Sequence, residues 1–444
     1  MRKICVVGTG YVGLVSGTCF ANIGNEVVCC DKDISKIIQL NNKEIPIYEP
    51  GLAEMVENNV KEGRLSFTTD IEKSIQDAEI IYIAVGTPMS ESGEANLEYV
   101  QAVAKTVGEN LNSYKVIVNK STVPVGTGKM VREIILENLK DKNLEFDVVS
   151  NPEFLREGSA VKDCMNMERA IIGADNQEAA NIIVNLHKPF NTKTLVTDIE
   201  TAEMIKYAAN AFLATKISFI NAVANICEKV GADVIKVAEG MGMDSRIGHK
   251  YLNAGIGYGG SCFPKDTHAL VHIAQSIGYD FKLLESVIET NNSQKQVLVE
   301  KVKELFGDVS GKTFAVLGLA FKPDTDDMRY APALTVIPQL IDLGASIKAF
   351  DPIATHVAQI QLGDTIQYCD GVYEALENSD ACIILTEWDQ FKNMDLNKLY
   401  KSLKNPIVID GRNIFDLNEM KEKGFNYYSI GRKGIVQEKK LIEA

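Results

Sequence analysis

The sequence predicts an α/β protein: two doubly wound parallel-sheet domains joined by a long central helix. Three observations predict it. Short apolar runs alternate with amphipathic, helix-compatible stretches through the first third of the chain. A similar alternation returns in the last third. Between them, from Thr201 to Val230, lies a stretch with neither glycine nor proline. Strands alternating with helices imply a parallel sheet covered on both faces.

In the first third, Lys3-Ile4-Cys5-Val6-Val7 is an apolar run ending in a glycine turn. Glu26 to Cys30 is a second and closes on Asp31. Glu79 to Val85 precedes Gly86-Thr87-Pro88. Val116 to Asn119 precedes Ser121-Thr122-Val123-Pro124, and Val148 to Ser150 precedes Asn151-Pro152-Glu153. The middle stretch, with apolar residues at helical spacing, reads as one helix of roughly 45 Å, at about 1.5 Å per residue. Gly231 is its expected stop. In the last third, Lys312 to Leu317 ends at Gly318 and Ser346 to Phe350 ends at Asp351. Asp380 to Leu385 and Pro406 to Ile409 add two more strands. The order strand, glycine turn, helix, strand, aspartate therefore occurs twice. Only Gly318 remains of the glycine set in the second copy, so that sheet is expected to hold something other than a complete dinucleotide.

Composition narrows the classes. A chain of 444 residues exceeds what one core organises, so two or three domains are expected. The formal net charge of −14 opposes nucleic acid and anionic lipid as partners. No apolar run is long enough to span a bilayer. Arg2 and Lys3 precede an apolar run, but the glycines within it fit a strand and turn better than a signal peptide. Nine cysteines, an odd number without a CxxC, point to a reducing cytoplasmic setting without disulfides. His268 and His272 share a helical face, but no third ligand stands at a recognisable spacing, and no metal site is expected.

Gly8-Thr9-Gly10-Tyr11-Val12-Gly13 is a GxGxxG in the context that gives the pattern meaning. A strand precedes it, a helix-compatible stretch follows, and Asp31 closes the next strand. Gly8 permits the turn, Gly10 lets phosphates approach the backbone, and Gly13 lets helix pack on strand. Asp31 would accept from ribose hydroxyls and repel a 2′-phosphate, which favours NAD over NADP. Lys36 is read either as lying near the adenosine ribose or as a solvated helix lysine. The expected domains are residues 1–200, an NAD-binding Rossmann domain; 201–309, a central helical and dimerisation domain; and 310–444, a second Rossmann-like domain.

Three motifs point to chemistry. Asn151 to Gly158 follows a strand at its carboxyl end, where open sheets bind ligands. Lys206 and Asn210 stand one turn apart on the long helix and share a face. Gly257-Tyr258-Gly259-Gly260-Ser261-Cys262-Phe263-Pro264-Lys265-Asp266 presents a cysteine on a permissive glycine loop. A nearby ammonium such as Lys206 would favour its thiolate, the reactive form. An isolated cysteine would more often be an inert, buried one in a tight structural loop, but the flanking Gly-Gly-Ser and Pro-Lys-Asp argue otherwise.

Taken together these motifs resemble the UDP-glucose/GDP-mannose dehydrogenase family over nearly the whole chain. The resemblance rests on Gly8 to Gly13, Ser121 to Pro124, Asn151 to Gly158, Glu203 to Asn210, Tyr258 to Asp266, and Gly318 to Arg329. It implies an NAD-dependent four-electron oxidation of a nucleotide-linked hexose, with UDP-glucose the expected substrate and a homodimer the expected assembly. The implied catalytic residues are Cys262, Lys206, Asn210, Asp266, Glu153 and Thr122. The implied cofactor contacts are Gly8, Gly10, Tyr11, Val12, Gly13, Asp31, Lys36, Thr87, Thr122, Glu157, Ser261, Lys265 and Arg329. Substrate contacts are Glu153, Phe154, Leu155, Lys206, Asn210, Arg246, Tyr251, Asn253, Gly259, Phe321, Lys322 and Arg412, with UDP on the third domain. Arg246 matches a residue that reaches across a dimer, and Asn253 departs from the lysine the family often carries. GDP-mannose and UDP-N-acetylhexosamines are rival substrates. Phe263 after the cysteine and Ser245-Arg246-Ile247-Gly248 followed by Tyr251 lean toward UDP-glucose, as does Ser261 where the N-acetylhexosamine branch has histidine. A two-electron hydroxyacid dehydrogenase would need no Cys262, and a non-catalytic nucleotide-sugar sensor need not keep all of Glu153, Lys206, Asn210, Cys262 and Asp266.

Overall fold

The structure is a computed structural model and describes residues 1–90 and 93–437. The chain divides into two compact units. One comprises Met1–Ala209 and His268–Gly278; the other comprises Asn210–Thr267 and Tyr279–Ala444.

The first unit is built on eight strands: β1 (Lys3–Val7), β2 (Glu26–Cys30), β3 (Leu65–Thr68), β4 (Ile80–Ile83), β5 (Lys115–Asn119), β6 (Phe146–Ser150), β7 (Arg169–Ala174) and β8 (Lys193–Thr197). Their order is β3-β2-β1-β4-β5-β6-β7-β8. The six strands from β3 to β6 are parallel, the Rossmann order. β7 then runs antiparallel to β6, and β8 parallel to β7. The central strands are apolar throughout because both faces are buried. Ile4, Val6, Tyr82 and Val118 pack into one layer. Their alternates Cys5, Val7, Ile81, Ile83 and Ile117 pack into the other.

The second unit repeats the arrangement with β9 (Thr313–Leu317), β10 (Ser346–Phe350), β11 (Gln367–Tyr368), β12 (Ala381–Ile384), β13 (Ile407–Asp410) and β14 (Asn426–Ser429). The order is β11-β10-β9-β12-β13-β14, all parallel. Again one strand feeds two layers: Phe314 and Val316 face one cluster, Ala315 and Leu317 the other.

The long helix is Ile199–Val230. Asp198 starts it, accepting from the Thr201 amide at 2.7 Å and hydroxyl at 2.8 Å. Gly231, at φ +78°, ends it. No helix among the described residues is long and apolar enough to cross a membrane.

Candidate active site

In the first unit the turn after β1 is shaped by Gly8, whose φ of +108° lies in the left-handed region. A Cβ there would meet the Ala84 carbonyl oxygen at 2.5 Å. At Gly10, by contrast, nothing lies within 4 Å of where a Cβ would project. Gly10 is also the N-cap of the helix Tyr11–Asn22, which has no side-chain cap and no acidic residue in its first turn. Its leading N–H groups and positive end are therefore left for an anion. Asp31 closes β2 beside this turn. One carboxylate oxygen accepts from the Thr9 amide and hydroxyl, both at 2.8 Å, and the other from the Asp33 amide at 3.1 Å. Burial raises its pKa, but these donors and the charge of Lys36 outweigh burial and hold it below the usual carboxylate range. An ionised Asp31 suits ribose hydroxyls and repels a 2′-phosphate. These residues fit NAD.

The loops at the carboxyl ends of the strands are tied together. The Thr87 hydroxyl donates to the Thr122 carbonyl at 2.9 Å, and the Ser121 hydroxyl to the Val85 carbonyl at 2.7 Å. The Tyr11 hydroxyl accepts from the Gly158 amide at 2.7 Å, which brings the turn carrying Glu157 to the glycine loop. Glu49 accepts from the same amide at 2.7 Å. Sequence reasoning did not single out Glu49, a buried acid within an irregular polar stretch.

Glu153 and Lys206 form a buried pair at 2.9 Å, and each side chain is 4% exposed. The other Glu153 oxygen accepts from the Leu155 amide. Phe154 lies under two cations, with Lys206 Nζ 5.3 Å and the Arg169 guanidinium 4.2 Å from its ring centre. Behind the pair stands Lys120, also missed from sequence, whose ammonium donates to Asn151 Oδ1 at 3.0 Å. Burial pushes its pKa down to about 8, with Glu153 opposing and Lys206 adding to the shift. A lysine directly after the strand Lys115–Asn119 was the available signal. Glu203, one turn before Lys206, accepts from the Gly126 and Gly128 amides at 2.7 and 2.8 Å. It thereby anchors the long helix to the start of the helix Thr127–Asn138.

In the second unit Cys262 immediately precedes the helix Phe263–Ser276, and its carbonyl accepts from the Asp266 amide at 2.8 Å. A thiol at a helix N-terminus is favoured as thiolate. Of the nine cysteines, none forms a disulfide and Cys262 alone is not buried. The Ser261 hydroxyl lies 3.5 Å from its sulfur. Asp266 is fully buried; it takes Asn210 Nδ2 at 2.6 Å on one oxygen and Lys265 Nζ at 2.5 Å on the other.

Arg412 joins several of the expected substrate residues. Its guanidinium donates to the carbonyls of Leu385 at 2.8 Å, Gly257 at 3.2 Å and Phe321 at 3.3 Å. The Lys322 ammonium lies 5.5 Å from the Phe321 ring centre, and that ring packs against Gly260. Gly259 abuts the backbone of Tyr330, and Arg329 accepts the Gly260 amide at 2.7 Å through its carbonyl. The Tyr251 ring is 6.2 Å from that of Phe263. Arg246 and Asn253 are not brought to this group. Arg246 extends into solvent, paired with Asp244, and Asn253 is exposed.

The two sheets differ at the matching aspartate. Asp351 accepts from the amides of Leu319, Ala320, Ile353 and Ala354 and from the Trp388 indole N–H. It is 2% exposed and has no capacity left for a ribose. Asp31 is only half-buried and has three such donors. The two aspartates thus do different work: Asp31 keeps capacity for a further donor, and Asp351 holds loop amides and the Trp388 indole.

An uncapped glycine-turn helix beside an ionised strand-end aspartate defines an NAD-dependent oxidoreductase. More particularly, the chain belongs to the UDP-glucose/GDP-mannose dehydrogenase family. Residues 2–191 match its NAD binding domain, 200–293 its central domain and 315–417 its UDP binding domain. The chain is 62% identical over 435 residues to UDP-glucose 6-dehydrogenase TuaD of Bacillus subtilis (strain 168), covering 98% of this chain and 94% of that one. It is 49% identical over 434 residues to UDP-glucose 6-dehydrogenase YwqF of the same organism, covering 98% of each. A solved UDP-glucose dehydrogenase from the hyperthermophilic archaeon Pyrobaculum islandicum has a TM-score of 0.90 at 37% identity, over 96% of this chain and 97% of that one.

Proposed function

We propose that this protein oxidises UDP-glucose at C6 to UDP-glucuronate, through a covalent bond to Cys262. The observation that carries the reading is Cys262 itself, alone among the cysteines in not being buried, at the start of a helix, with the buried Asp266–Asn210 pair in the next turn. Two molecules of NAD, bound in turn, would each accept one hydride, in the oxidations of alcohol to aldehyde and of thiohemiacetal to thioester, and Glu153 assists removal of the alcohol's proton. Lys206 and Asn210, one turn apart on one helix, donate to the C6 oxygen as negative charge develops on it. The Cys262 thiolate attacks the aldehyde carbon, forming a C–S bond and preventing escape of the aldehyde. Glu153 takes a proton from the water that attacks the thioester, and the C–S bond breaks to return the thiolate. Thr122 and Asp266 place that water.

Gly8, Gly10, Tyr11, Val12, Gly13, Asp31, Lys36, Thr87, Glu157, Ser261, Lys265 and Arg329 hold the cofactor in this reading. Phe154, Leu155, Tyr251, Asn253, Gly259, Phe321, Lys322 and Arg412 hold the substrate, with 1–200, 201–309 and 310–444 as the NAD, dimerisation and UDP-sugar segments. The working form is a cytoplasmic homodimer. Phe212, Phe219 and Ile226, exposed at seven-residue spacing along the long helix, support a second copy packing there, as the exposed Arg246 supports a contact across it. The names of the relatives support UDP-glucose. The test is turnover with NAD and UDP-glucose, followed as NADH per sugar. Two NADH and an acid product are expected. One NADH, or preference for a GDP-mannose control, overturns the reading.

A further inference from the structure

We infer that Asn291 is a positioning residue for Cys262, acting through the peptide of Tyr258. The inference rests on the chemistry proposed above for that cysteine. Asn291 lies on the helix Lys282–Gln294 and is 3% exposed. Its Oδ1 accepts from the Tyr258 amide at 2.8 Å, and its Nδ2 donates to the Tyr258 carbonyl at 3.1 Å. One carboxamide thus pairs with both polar groups of one residue, as a neighbouring strand would.

The grip transmits to the thiol by short steps. The Tyr258 ring stands edge-on to Phe263, centroids 5.7 Å apart, and Phe263 directly follows Cys262. The Tyr258 hydroxyl bonds with Thr267 and Ser218, the former on the helix that Cys262 precedes. Gly257 sits at φ +91°, and a Cβ there would come within 2.9 Å of Asn291 Oδ1, so the loop is shaped to the carboxamide. Further back, Gln294 donates to the Gly255 carbonyl at 2.7 Å, and Asn221 accepts from the Gly255 amide at 2.8 Å. These hold the start of the loop and Asn291 its middle, while the Arg329 carbonyl takes the Gly260 amide nearer the sulfur.

Asn291→Asp is the informative change. It conserves shape but replaces the donor with a second acceptor facing the Tyr258 carbonyl, in a place where unpaired backbone groups are costly. A thiol displaced by about 1 Å can lose about a hundredfold in rate. Cys262 is not needed until the aldehyde exists. The first oxidation should therefore keep its rate while the second slows.

The experiment compares full-length wild type with Asn291→Asp by two readouts: the two phases of NADH formation in a single turnover, and the rate of Cys262 alkylation by iodoacetamide, read by peptide mass spectrometry. The expected result is an unchanged first phase, a second phase slowed at least about tenfold, an altered alkylation rate, and an unchanged KM for NAD. Both phases slowing together, or both phases and alkylation matching wild type, overturns the inference. Should the aspartate variant not fold, Asn291→Ser, which lacks the second hydrogen bond and adds no charge, is read the same way. A wild type that makes one NADH per sugar sinks the proposed chemistry instead, and alkylation still decides whether Asn291 governs the sulfur.

Discussion

Lys206 Nζ stands 2.9 Å from Glu153 Oε1, with both side chains almost fully buried. Two buried charges are tolerated only while each satisfies the other. In the proposed reaction the pair couples stability to chemistry, because the glutamate gives up its ammonium partner, in part, when substrate oxygen and water arrive.

Removing one partner strands the other. Lys206→Met should lower the unfolding free energy by roughly 3–5 kcal/mol and abolish turnover. Adding Glu153→Gln to it should restore much of the stability but none of the activity. Denaturant unfolding of the single and double variants checks this.

In the proposed reading, Asp31 sets cofactor choice through an ionised carboxylate held by Thr9 and Asp33. Losing its bonds to ribose should cost about 1.5–3 kcal/mol. Asp31→Ser should therefore raise the KM for NAD about ten- to a hundredfold and narrow the preference against NADP. Steady-state kinetics with both cofactors measures it.

Asp266 accepts from Asn210 and Lys265 on separate oxygens. An amide can accept from only one of them and turns a donor toward the other. Asp266→Asn should lower kcat by about a hundredfold or more, with KM for NAD nearly unchanged.

Lys120 gives a pH signature. Its ammonium is buried, and its pKa falls to about 8 from an ordinary 10.5. The unfolded chain then binds the extra proton between those values, so stability rises with pH across that window. Relative to Lys120→Met, the wild type should gain up to about 3 kcal/mol from pH 8 to 10.5. A flat difference between the two unfolding curves would contradict the assignment.

Much of this was legible in the sequence because central parallel strands are apolar on both faces. β1, β2 and β10 lie where their apolar runs predict. β3 and β11 escaped notice because Leu65–Thr68 and Gln367–Tyr368 are too short to carry a pattern. β8 was illegible for another reason: Lys193–Thr197 is exposed at an edge, so burial left no mark on its composition. β14, Asn426–Ser429, has polar residues at both tips, which leaves too short an apolar run to mark a strand. In the site, Cys262 stood out for its glycine loop, and Lys206 and Asn210 for sharing one face of a long helix. Lys120 and Asn291 did not, since their work is to bond backbone and neighbouring amides, which any sequence position can do. Asp351 shows the converse, for it repeats the Asp31 signal while its geometry has been spent on loop amides.

The most direct test of the covalent account uses Glu153→Gln, in which attack on the thioester should slow. After mixing with UDP-glucose and NAD and quenching in acid, intact-protein and peptide mass spectrometry should find a UDP-glucuronyl adduct on Cys262 and on no other cysteine. Acid formation without any such adduct, or an adduct on a different residue, would contradict it.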